Sequence, residues 1–172
     1  MKIINKLFLT LVLIFIPSQS IASYAQSDVS SDGVVVTQHY LATEIGENIL
    51  AQGGNAYDAA IAVGFALAVV LPRAGNIGGG GFMVIYDKKA NDTYAIDYRE
   101  KAPAASFRDM YLDENGEFDI LKSTFGYSAI GVPGTVHGFW SVHQKFGSLP
   151  WADLIQPSIM LAERGFVMSD YM

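Results

Sequence analysis

Hydrophobic positions along the chain follow a helical spacing in some stretches and alternate in others. Between Tyr40 and Gln52, Leu41, Ile45 and Ile49 recur every four residues, which marks one face of a helix. Gly53 and Gly54 stop it. Asn55 is placed to cap a second helix, with Asp58 three residues on in a capping-box position. That helix, AYDAAIAVGFALAVV, is apolar on nearly every face and rich in small residues. It reads as a core helix approached closely by several neighbours, ended before Pro72. Upstream, VVVTQH at 34–39 opens with a β-branched run and predicts a short buried strand. Downstream, Phe82–Tyr86 and Thr93–Tyr98 read as two strands, joined by a polar turn from Asp87 to Asp92.

A loop with Pro103 follows, then SFRDMYLDENGEFD, a short amphipathic turn and a solvated hairpin or loop. SAIGVPGTVHGFWSVHQKFG predicts a loop opening into a helix whose inner face uses Val136, Phe139, Trp140 and His143. LPWADLIQPSIMLAERGF predicts another helix, with Leu154, Ile155, Ile159 and Leu161 inward and Gly165 as its stop. Helices and strands are mixed without regular alternation, so the class is α+β and a doubly wound parallel sheet is not favoured.

GNIGGGGFM, residues 75–83, interrupts this pattern with four consecutive glycines. A phosphate loop needs a strand before it, a helix after it and a lysine on the phosphates. Here the order is helix, glycines, strand, and Phe82, Met83 and Val84 follow the run. The dinucleotide fingerprint fails on the same order. Apolar segments flank the run on both sides, which argues against a flexible linker. What remains is structural: close backbone approach and φ > 0 positions at the entrance to a buried strand.

The first residues change the picture of where the protein works. Lys2 and Lys6 precede an apolar run from Leu7 to Ile16, then Pro17 and small residues. This is the pattern of a secretory signal peptide, cleaved after Ala22 or Ala25. Ten helical residues reach only about 15 Å, half a bilayer core, so a membrane anchor is the weaker reading. The expected domains are a signal peptide over 1–25, a polar, disordered lead-in over 26–33, and one domain over 34–172. The mature protein is then periplasmic or secreted, with no membrane attachment.

The 172 residues carry 11 basic and 17 acidic side chains, a net charge of −6, which disfavours nucleic acid as a partner. Three scattered histidines and no cysteine leave no metal-ligand cluster and no thiol chemistry. Arg99 ends the strand-like YAIDY and could clamp a carboxylate with two parallel hydrogen bonds. A structural ion pair with Asp97, Glu100 or a more distant acid is the commoner use of such a residue, and composition leaves both open. His137 and His143 lie six apart and share a helix face poorly, and His39 reads as an ordinary residue near a helix start. No serine or threonine can be given a base from spacing, so the residues by themselves identify no nucleophile.

Four blocks taken together carry a resemblance. GGNAYDAAIAVGFALAVVLPRAGNIGGGGFMVIYD, AIDYREKAP, GVPGTVHGFW and FGSLPWADLIQPSIMLAERGF occur in this order. From about Val34 to Phe166 the chain resembles the γ-glutamyltranspeptidases, or glutathione hydrolases. The resemblance implies the N-terminal part of the large subunit of an N-terminal-nucleophile hydrolase, an αββα sandwich of two sheets between helical layers. It implies a precursor that cleaves itself, and a threonine that begins the small subunit and attacks with its own α-amine as base. It implies glutathione and other γ-glutamyl compounds as donors, amino acids or peptides as acceptors, the small subunit as partner, and no cofactor. Arg99, in REKAP, takes the position of the arginine that holds the substrate α-carboxylate. No catalytic residue is expected in this chain, because the nucleophile lies downstream of Met172, and the chain alone is expected to be inactive. The alternatives are a relative resembling the cephalosporin and glutaryl acylases, or a truncated, non-catalytic relic.

Overall fold

The computed structural model describes residues 33–168. The expected signal peptide lies outside the described residues, as do all of the expected polar lead-in but Gly33 and the last four residues of the chain. Among the described residues the elements run α1 (Tyr40–Ala51), α2 (Ala56–Val70), β1 (Phe82–Asp87), β2 (Asp92–Asp97), α3 (Ile120–Thr124), a 3₁₀ turn (Tyr127–Ala129), α4 (Thr135–Phe146) and α5 (Trp151–Arg164).

Helix α2 is the centre, with α1, α4 and α5 packed against it. Its small residues allow this: Ala59, Ile61, Ala62, Phe65, Ala66 and Val70 are all buried, and they point to more than one side. The capping box at its start forms as read, with the Asn55 side chain accepting from the Asp58 amide and Asp58 accepting from the Asn55 amide. Asp58 does more. Fully buried, it also accepts the Ser148 amide at 3.1 Å and the Ser148 hydroxyl at 2.5 Å. Asn55 Nδ2 donates to the Phe146 carbonyl at 2.7 Å. The start of α2 is thereby tied to the link between α4 and α5, and on that link His143 Nε2 bonds the Leu149 carbonyl at 2.8 Å.

β1 and β2 form an antiparallel hairpin in the register Phe82↔Asp97 to Asp87↔Asp92. Ile85 and its neighbours Met83, Tyr94 and Ile96 pack into the helix core, while Phe82, Val84 and Tyr86 stand on the other, exposed face. Asp87 Oδ1 accepts the Lys89 and Ala90 amides in the turn, and Asn91 takes the left-handed conformation at φ 52°.

Several expectations need correcting. The run at 34–39 forms no strand. Val34 and Val36 are exposed, and only Val35 turns inward, closing with Val63 over Gly46 of α1. The inner face of α4 is Thr135, Gly138, Phe139 and Val142, whereas Val136 and Trp140 are 44% and 43% exposed. On α5, Leu154 and Ser158 are buried and Ile159 is exposed. α3 falls between two stretches read from the sequence, where no element is assigned; Asp119 caps it by accepting the Leu121 and Lys122 amides. His39 caps α1 through Nδ1, which accepts the Leu41 amide. Gly165 stops α5 as read, at φ 74°. No helix among the described residues is long and apolar enough to cross a membrane.

Candidate functional site

The position of Arg99 is set mainly by main-chain contacts. β2 ends at Asp97, and the Tyr98 amide adds one more ladder bond, to the Gly81 carbonyl at 3.0 Å. The next residues run between two glycine surfaces. On one side is Gly80, where a Cβ would fall 2.6 Å from the Tyr98 carbonyl oxygen and 2.7 Å from Arg99 Cα. On the other are Gly134, which abuts the Tyr98 carbonyl, and Gly138, which abuts the Tyr98 ring. The two surfaces are joined, because the Gly79 carbonyl accepts the Gly134 amide at 2.8 Å and the Thr135 amide at 3.1 Å at the start of α4. Beyond the clasp, Lys101 and Val132 exchange both main-chain hydrogen bonds, at 3.1 and 2.8 Å. The glycine run therefore provides close approach, as expected. The φ > 0 part of that expectation is wrong: no glycine from Gly75 to Gly81 has a positive φ.

The Arg99 side chain is free to act. Its amide donates to Asp97 Oδ1 at 2.9 Å, but the side chain is 64% exposed, and among the described residues the guanidinium pairs only with Glu100, at 3.8 Å. Such an exposed, long pair contributes about 0–1 kcal/mol and holds the guanidinium weakly. The guanidinium carbon lies 5.9 Å from the Phe82 ring centre. Beside it opens a cleft of about 380 Å³, walled by Asp97, Tyr98, Arg99 and Lys101 and by His137 and Ser141 of α4. Burial raises the pKa of the Tyr98 hydroxyl above its usual value. His143, by contrast, serves the α4–α5 link, and His39 serves the α1 cap, so neither belongs to this site. The spacing argument missed His137 and Ser141. The available signal was their one-turn separation beside Gly134 and Gly138. No group of histidine, aspartate and glutamate side chains that could hold a metal ion occurs among the described residues.

Comparison with known proteins then decides the family. The sequence model described as gamma-glutamyltranspeptidase matches residues 42–172. The chain belongs to the γ-glutamyltranspeptidase family. It is 50% identical over 151 residues to the glutathione hydrolase proenzyme of Bacillus subtilis strain 168, a match that covers 87% of this chain and 26% of that protein. The γ-glutamyltranspeptidase of Helicobacter pylori superposes with a TM-score of 0.79 at 46% identity, over 85% of this chain and 42% of the other. The transpeptidase CapD of Bacillus anthracis gives a TM-score of 0.65 at 38% identity, over 83% of this chain and 42% of that one. The fold is thus the α+β N-terminal-nucleophile hydrolase type, represented by part of its domain. The chain spans about a quarter of the length of the curated relatives it matches.

Proposed function

We propose that this chain supplies the donor-carboxylate site of an exported γ-glutamyltransferase and glutathione hydrolase. The observation that carries the reading is the placement of Arg99. Its backbone is clasped between Gly80 and Gly134 while its guanidinium stays exposed beside an open cleft. A fork held in this way can grip the α-carboxylate of a γ-glutamyl donor and hold the γ-carbonyl in one place for attack. The attacking threonine, its α-amine base and the oxyanion donors belong to a small subunit cut from the same precursor. The threonine oxygen bonds the γ-carbonyl carbon as the donor's amide C–N bond breaks, the amine leaving with the proton the α-amine took from the threonine. The resulting ester then passes the γ-glutamyl group to water, an amino acid or a peptide, which frees the threonine. Export follows the signal pattern of the first 25 residues.

The test joins this chain to its small subunit and measures γ-glutamyl-p-nitroanilide turnover. Arg99→Met is expected to raise KM about tenfold to a hundredfold with little change in kcat, from a charge-assisted contact worth roughly 1.5–3 kcal/mol. An unchanged KM would remove Arg99 from the donor site. Residues 26–172 alone are expected to release no p-nitroaniline, and turnover above the blank would show that the nucleophile lies within them.

A further inference from the structure

Around Arg99 the charges balance: Asp97 and Glu100 stand against Arg99 and Lys101. What leaves the guanidinium available is the way the two acids are engaged. Glu100 meets it only at Nε, 3.8 Å away, so the two terminal nitrogens stay outside that pair. Asp97 is two residues upstream on the same face of the extended chain: Ala95, Asp97 and Arg99 are exposed, while Ile96 and Tyr98 between them are half-buried. An acid at that spacing is a ready ion-pair partner, yet no salt bridge joins it to Arg99 among the described residues. Its Oδ1 turns instead to the Arg99 amide, at 2.9 Å, a bond that aspartate makes to the main chain two residues on. That bond falls on the peptide the glycines enclose. The Tyr98 carbonyl lies against Gly80 and Gly134, and the Arg99 amide is the other end of the same planar unit. Contact with glycine limits where the unit sits but not how its plane is turned. Among the described residues neither end has a main-chain hydrogen-bond partner, and the Asp97 carboxylate supplies the unit's one hydrogen bond. The plane of this peptide sets the direction in which the Arg99 side chain leaves the chain.

We propose that Asp97 is a positioning residue of the donor site: by holding the Arg99 amide it fixes the peptide plane that aims the guanidinium at the donor carboxylate. So engaged, it leaves that guanidinium unpaired from its own side. This rests on the reading of Arg99 as the holder of the donor carboxylate. Asparagine at 97 keeps an acceptor oxygen in the same place without the charge, and alanine keeps neither. Comparing these two replacements isolates the bond to the amide, because both remove the same charge.

The experiment measures γ-glutamyl-p-nitroanilide kinetics on this chain joined to its small subunit. It compares Asp97→Asn with Asp97→Ala, each alone and combined with Arg99→Met. The KM of Asp97→Ala is expected about threefold to tenfold above that of Asp97→Asn, the size of one net hydrogen bond, with kcat the same. In the Arg99→Met background the difference should vanish, because Asp97 acts only through the arginine. A merely structural role would instead lower kcat and the melting temperature together, in both backgrounds. If Arg99→Met by itself leaves KM unchanged, the donor-site reading fails and the role of Asp97 falls with it. If Arg99→Met raises KM but the alanine and asparagine variants share one KM, only the positioning role is wrong. It is equally wrong if their difference survives Arg99→Met.

Discussion

Asp58→Ala tests how the helical core is held together. The carboxylate is fully buried and takes three donors: the Asn55 amide at 2.9 Å, the Ser148 amide at 3.1 Å and the Ser148 hydroxyl at 2.5 Å. Truncation removes the charged acceptor of two main-chain amides, one on half-buried Asn55 and one on exposed Ser148, and each lost bond to a charged group costs about 1.5–3 kcal/mol. The Ser148 hydroxyl can rotate away and adds less. The sum is roughly 3–6 kcal/mol, a large fraction of the roughly 5–15 kcal/mol that holds an ordinary domain folded. Ser148→Ala removes only the hydroxyl bond, so its cost is set at about 1.5–3 kcal/mol, and the double variant should fall close to Asp58→Ala alone. The assay is urea unfolding followed by tryptophan fluorescence. Trp140 and Trp151 are the chain's two tryptophans, and their rings meet at 5.2 Å across the link that Asp58 pins. An Asp58→Ala midpoint equivalent to less than about 1 kcal/mol of destabilisation would refute the account, since even one lost bond to the carboxylate should cost that much.

Gly80→Val and Gly134→Ala should each lower soluble yield sharply, because the new Cβ meets main-chain atoms of Tyr98 that have no side-chain freedom to move; normal yield with an altered KM would instead put the glycines in the substrate site. Gly165→Ala meets open space but sits at φ 74° and ψ 174°, a region that is essentially glycine's alone, so thermal melting should show a loss of about 1–3 kcal/mol. The Asp113 carboxyl is held below its usual range chiefly by the Glu117 and Asn115 amides it accepts. A depressed folded-state pKa means its contribution is present above the unfolded pKa and is lost as pH falls through the folded one. The amide shifts of the 113–117 turn should therefore move at a pH below the ordinary aspartate range, and Asp113→Asn should abolish that movement.

The parts of the fold that were legible in the sequence are those fixed by neighbours in the chain. The Asn55–Asp58 capping box, the Gly165 stop and the presence of two strands joined by a polar turn each depend on a few adjacent residues. The misreadings share a different cause. Hydropathy placed Val136 and Trp140 inside α4 because they are apolar, yet the helix packs through Gly138 and Val142, and a glycine contributes nothing to a hydrophobic pattern. Val34 and Val36 have strand-forming side chains but no strand partner among the described residues. The Asp58–Ser148 bonds join positions 90 residues apart, which no local rule reaches. Arg99 was found through the resemblance of REKAP, not through spacing. The physical reason for its placement, a main-chain passage between glycines, became visible only with α4 in position.

That passage has a consequence for how position 99 can be altered. Apart from the Asp97 carboxylate, which accepts its amide, what fixes it among the described residues belongs to the main chain and to glycines, and the arginine side chain contributes almost nothing to holding itself. The position behaves as a socket: the residue fitted there can be exchanged without loosening the mount. Lysine, glutamine or methionine at 99 should leave the melting curve where it is, so any change such a replacement makes in ligand preference is a direct measure of the exchanged head group, free of the folding losses that complicate most active-site substitutions.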